Sequence, residues 1–147
     1  MPFGNNGIQV QEYVYDFAVD GGAVSTISLS GKANKDPLPA GAIVMDCVMR
    51  VLTAFTSGGS ATLAIGNTAD DDGYLPAIAV ASLTAGACFT AAQQAGALLW
   101  DNTNDANLAY GVTSTANTQD VAAKIATAAM TAGKAVICME YLYPAGV

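Results

Sequence analysis

The chain has 147 residues, 52% of them hydrophobic and only 12% charged, with twelve acids, five bases and no histidine. That length fits one domain able to bury a sizeable core, and the missing histidine excludes every triad, dyad or zinc site built on imidazole. The net charge is −7 and the bases Lys32, Lys35, Arg50, Lys124 and Lys134 form no run, which argues against nucleic acid and against an anionic membrane as partners.

With so few charges, the surface must be largely Ser, Thr, Asn, Gln, Gly and Ala, and such a surface packs against other subunits at little desolvation cost. The start, MPFGNNG, has no basic segment and no apolar core, so no signal peptide is expected. No apolar run reaches the roughly 20 residues that a membrane helix needs. The three cysteines, Cys47, Cys88 and Cys138, are odd in number and widely spaced. They form neither a disulfide framework nor a zinc pattern, which suits a reducing cytoplasm. Cys47 and Cys138 fall in strand-like segments, where a buried apolar thiol is the expectation.

Residues 1–7 read as a flexible arm and 8–147 as the domain. Residues 8–19 are rich in Val, Ile, Tyr and Phe, a strand signal, with Tyr13, Tyr15, Phe17 and Val19 on one face. Asp20-Gly21-Gly22 turns the chain into a second alternating stretch, 23–30, so the two read as a hairpin. Residues 31–41, GKANKDPLPAG, form a loop in which Pro37 and Pro39 bar regular ladder pairing.

Residues 43–55 carry the clearest strand pattern, with Ile43, Met45, Cys47, Met49, Val51 and Phe55 on the odd face, expected inward. The stretch is long for a strand, which predicts a bend or bulge partway. SGGS at 57–60 then suggests a second hairpin into 61–65. The acidic loop 67–73 follows, and 74–81 and 87–90 are weaker strand candidates. Residues 91–99 are alanine-rich and unresolved between helix and strand. Leu108, Tyr110 and Val112 alternate as a strand after the loop 101–106. Residues 121–130 have helix-like alanine content but precede Thr131-Ala132-Gly133, the place of a hairpin's first arm. In 134–143, Ala135, Ile137, Met139, Tyr141 and Tyr143 share one face, opposite Lys134 and Glu140. The count of about eight strands joined by short turns predicts an all-β fold, a single antiparallel β-sandwich of jelly-roll type.

Nothing in the pattern carries catalysis. No phosphate-cradling glycine motif occurs. Asp70-Asp71-Asp72-Gly73 lacks the alternating acids and following glutamate of a calcium loop, so it reads as a solvated turn beside the anchor Tyr74-Leu75. Glu12 and Glu140, the two glutamates, show no sign of meeting in a cleft. Tyr13, Tyr15, Trp100, Tyr110, Tyr141 and Tyr143 are better read as core or interface anchors than as a sugar platform. No catalytic, cofactor-binding or metal-ligating residue is assigned, and no cofactor is expected.

Two stretches carry a family likeness. LPAGAIVMDCVMRVLTAFTSGGSATLAIGNTADDDGYLPA, from Leu38, and TAGKAVICMEYLYP, from Thr131, resemble small virion structural proteins of tailed bacteriophages, of the capsid decoration or cement type. The resemblance implies a β-sandwich, made in the host cytoplasm, that sits on the outer surface of the head. It implies the major capsid protein and further copies of the chain, as a homotrimer, for partners. The contacts it implies are in the arm, at Pro2, Phe3, Asn5 and Asn6, and in the loop, at Lys32, Lys35, Pro37 and Pro39. A tail or collar component and a head-fibre module binding host glycan are the other roles consistent with this grammar. A major capsid protein usually needs a longer chain.

Overall fold

A computed structural model describes residues 7–32, 35–68, 70–91 and 120–142. Eight strands lie within them: β1 (Ile8–Asp16), β2 (Ser25–Ser28), β3 (Ile43–Ser57), β4 (Thr62–Gly66), β5 (Leu75–Ala79), β6 (Cys88–Thr90), β7 (Ala122–Ala126) and β8 (Met130–Leu142). The first sheet has the order β1-β8-β3-β6 and the second β2-β7-β4-β5. β1 pairs with β8, β2 with β7, β3 with β6 and β4 with β5, all antiparallel. That is one long hairpin rolled up on itself, and the extra pairings β3–β8 and β4–β7 close each sheet. The result is a jelly roll.

This topology corrects three local expectations. Residues 8–19 and 23–30 do not pair as a hairpin: β1 and β2 lie in opposite sheets, and residues 17–20 form one helical turn between them. β3 and β4 likewise separate across the sandwich, as do β7 and β8. Thr131-Ala132-Gly133 is not a turn but the start of β8, and the chain turns at 127–129 instead. A short glycine-rich link is compatible with a hairpin or with a crossing between sheets, and neighbouring strands usually do pair. Only the global packing decides. At Gly22 the crossing is tight: a β-carbon there would lie 2.2 Å from the Met130 carbonyl oxygen.

The core draws on both sheets. Tyr13, Tyr15, Cys47, Met49, Val51, Ile137 and Met139 from the first meet Leu63, Ile65, Leu75, Ala123 and Ile125 from the second, all fully buried. The odd-face expectation for β3 holds from Cys47 onward and fails before it. Val44 pairs with Tyr141 and Asp46 with Glu140, so Met45 is an extra residue, a bulge. Inserting one residue flips the strand's faces. Val44 is therefore buried and Met45 is 38% exposed. A second register shift follows Val51, so Thr53 pairs with the outward Lys134 and is exposed beside Leu52.

The expected strand over 108–112 and the alanine-rich 91–99, beyond Ala91, lie outside the described residues.

Candidate interaction surface

The two outer sheet faces differ. On the second sheet, residues 67, 68 and 70–73 fold back over the β4–β7 part of that face, while β2 stays exposed. Gly66 brings this loop into contact, since a β-carbon there would lie 2.1 Å from the Asp70 carbonyl oxygen. Asn67 ties the loop both ways: its N–H donates to the Asp70 carbonyl at 2.8 Å and its side-chain oxygen accepts from the Asp70 N–H at 2.7 Å. The Lys124 ammonium, on the outward side of β7, meets the Asp71 carboxylate at 2.7 Å. Thr68 donates through its N–H and hydroxyl to Asp120. Tyr74 and Leu75 are buried, as expected of anchors. The acidic stretch is thus a folded turn held to the sheet, and no metal-holding group of His, Cys, Asp or Glu occurs among the described residues.

The outer face of the first sheet carries no such cover among the described residues. Cross-strand register sets its rows: Ile8, Leu142 and Ile43; then Val10, Glu140 and Asp46; then Glu12, Cys138 and Val48; then Val14, Val136 and Arg50. Ile8 is 64% and Val10 60% exposed. The apolar end of this face therefore lies where β1 begins and β8 ends, flanked by the carboxyl groups of Glu12, Asp46 and Glu140. Glu12 and Glu140 are diagonal neighbours on an open sheet face, not partners in a cleft.

Cys138 belongs to this face. The expectation that it is buried is corrected: it is half-buried on the outward side of β8, in step with Lys134 and Glu140, whereas Cys47 is buried. Partial burial, with Glu12 and Glu140 nearby, raises the Cys138 thiol pKa. Burial raises that of Cys47. Cys88 is exposed on β6.

A polar clasp marks the far end of β1. Asp16 caps the helical turn by accepting from the Ala18 N–H at 3.0 Å, and its other oxygen meets the Lys134 ammonium at 2.9 Å. The hydrogen bond to Lys134, then that to Ala18, lowers the Asp16 pKa. Asp20 accepts from the Asp16 N–H at 2.8 Å and pairs with Lys32. The Tyr15 hydroxyl donates to the Gly21 carbonyl at 2.7 Å. Burial, with Asp20 and Asp16 nearby, pushes the Tyr15 phenol up to about 12.

The residues assigned to contacts fall in separate places. Pro2, Phe3, Asn5 and Asn6 lie outside the described residues. Lys32 is held by Asp20. The Lys35 carbonyl accepts from the Gly31 N–H and its own N–H donates to the Lys32 carbonyl. Pro37 and Pro39 are half-buried on either side of Leu38, which is in the core. The loop is pinned to the inward side of β1, where Gln11 and Tyr13 both donate to the Asp36 carbonyl. Its contacts with β1 among the described residues are on that side. Among the aromatics, Tyr13 and Tyr15 are buried and Tyr141 packs on the core, so no sugar platform forms from them. Trp100, Tyr110 and Tyr143 are outside the described residues. No described helix is long and apolar enough to cross a membrane.

The open face was missed in the sequence, although β1 signalled it. Ile8, Val10 and Val14 alternate with Tyr13 and Tyr15, so both sides of the strand are apolar, the mark of a strand with a second neighbour.

No protein family profile matches the chain, and no curated protein matches it by sequence. Solved structures do share its fold. A chain in the cyanophage Pam1 capsid asymmetric unit superposes with TM-score 0.60 at 20% identity, covering 98% of this chain and 89% of that one. A chain in the capsid of Ralstonia phage GP4 gives 0.62 at 15%, covering 99% and 90%. One in the acidic stable capsid structure of Helicobacter pylori bacteriophage KHP30 gives 0.51 at 14%, covering 94% and 89%. The likeness is one of fold, end to end in both chains.

Proposed function

We propose that this chain is a non-enzymatic structural protein of a tailed-phage virion that binds the outer surface of the assembled head and cements contacts between major capsid protein subunits. The observation that carries this reading is the shared jelly roll, which runs nearly the full length of chains from three phage capsid structures. Those chains are close to this one in length, which favours an accessory component over a shell-forming one.

The mechanism is mechanical. A protein that binds only the assembled lattice stabilises it by mass action. Repetition around a symmetric shell converts weak contacts into large avidity. The chain would act as a homotrimer, with Pro2, Phe3, Asn5 and Asn6 of the arm and Lys32, Lys35, Pro37 and Pro39 of the loop among its contacts. Lys32 would contribute through shape rather than charge, because Asp20 already holds its ammonium.

The test is re-addition. Heads prepared without this chain are mixed with the purified protein and heated or exposed to chelator. Saturable binding with a raised disruption temperature is the expected outcome. A chain that ignores heads but polymerises, or that binds tails, would place it in the tail or collar instead.

A further inference from the structure

Resting on that reading, we infer that the outer face of the first sheet is the surface that grips the shell, and that its partner there is a different polypeptide presenting an apolar strip flanked by Lys or Arg side chains. Two observations define the face. Ile8, Val10 and Met45 stand 64%, 60% and 38% exposed at one end of it, while on the second sheet the acidic loop covers the β4–β7 part of the equivalent face and leaves β2, with Thr26, exposed. Contiguous apolar surface of this kind marks an interaction site. The residues beside the apolar end are carboxylates: Glu12, Asp46 and Glu140, brought together by the β1–β8–β3 register.

Charge decides the occupant. None of these three carboxylates is in an ion pair within the described residues. A second copy of the chain is poorly equipped to neutralise them. Of its five bases, Lys32, Lys124 and Lys134 are held by Asp20, Asp71 and Asp16. That leaves Lys35, on the loop behind β1, and Arg50, farther along the same face. Face-to-face packing of two copies would oppose one carboxylate set with another, and like charges at an interface are strongly disfavoured. A partner with a basic rim meets the apolar strip and the carboxylates at once. The complementary charges would speed encounter and fix register, and the apolar strip would supply the burial.

Three full-length variants test this against shells lacking the chain: Val10→Asp, the double change Glu12→Gln with Glu140→Gln, and Thr26→Asp on the outer face of the second sheet. All four sites are exposed or half-exposed, and circular dichroism with thermal unfolding establishes that each variant folds. Binding is read by co-sedimentation over a salt series. Val10→Asp is expected to abolish binding. The double glutamine variant should bind about tenfold more weakly at low salt and lose most of the salt dependence, while Thr26→Asp binds like the parent. If the parent binds shells and the first two variants bind equally well, the inference is overturned and the proposed function stands. If the parent does not bind, both fall. If the isolated chain is an oligomer that Val10→Asp dissolves, the face is a self-contact and the assignment to a different polypeptide is wrong.

Discussion

The ring of Phe55 occupies the space directly over the α-carbon of Gly133. A β-carbon at that residue would lie 2.3 Å from the ring, and Gly133 has φ +139°. The ring in turn stacks on Tyr15 at 5.5 Å with planes 21° apart. Three strands of the first sheet are thereby locked around one aromatic contact. Gly133→Ala combines overpacking with backbone strain and should cost roughly 2–4 kcal/mol, read as a fall in denaturation midpoint. Phe55→Leu should partly relieve it in the double variant, so the two changes are coupled. Equal, additive effects would show that the contact is absent.

Gly66 makes the same argument for the second sheet. A β-carbon there collides with the backbone at Asp70 and Asp71, so Gly66→Ala must lift the acidic loop off the sheet. The expected result is faster amide exchange at Thr68 and Gly73 and loss of the Lys124–Asp71 ion pair, with the first sheet unaffected. Unchanged exchange in the loop would contradict the close approach.

Stability should decline at both ends of the pH scale. The folded Asp16 pKa is lowered, so its contribution is present above the unfolded carboxyl value of about 3.9 and fades as pH falls below it. Being at the surface, this term should shrink in salt, and Asp16→Asn should flatten the acid limb. The tyrosines act oppositely. Burial raises Tyr13, Tyr15 and Tyr74 from 10.0, Tyr15 to about 12. Their contribution is complete below pH 10 and is lost as pH rises above it, because the unfolded phenols ionise first. A stability profile that stays level from pH 10 to 12 would contradict the burial of these rings.

The sequence made the fold class legible because alternation is a local property. Cys47, Met49 and Val51 announced an inward face, and Ala135, Ile137 and Met139 another. The pairing partners were not legible, because Gly21-Gly22 and the 57–60 turn serve a crossing between sheets as well as a hairpin. The bulge at Met45 was expected in kind but not in place, since an inserted residue leaves composition unchanged and reverses only parity. Cys138 shared parity with Lys134 and Glu140 and could have been placed outward from that alone. For the interaction surface, loop residues such as Lys32 drew notice by their charge. The fold shows that charge to be spent on Asp20, while Ile8 and Val10, ordinary strand residues by type, stand in the open.

Thiol chemistry separates the three cysteines. Cys88 is exposed and should react with a disulfide reagent within seconds to minutes at neutral pH. Cys138, half-buried and with its thiol pKa raised, should lag well behind. Cys47 should react only on unfolding, since burial removes access and suppresses the thiolate. Mass spectrometry of partly labelled protein checks the order, and early labelling of Cys47 would contradict the core assignment.

Shell binding is tested most directly by cryo-electron microscopy of phage heads assembled in the presence of this chain. Jelly-roll density is expected on the outside of the icosahedral shell at local symmetry axes, with the outer face of the first sheet, at Ile8 and Val10, against the major capsid protein. Density for the chain confined to the tail or to a single vertex would contradict that placement.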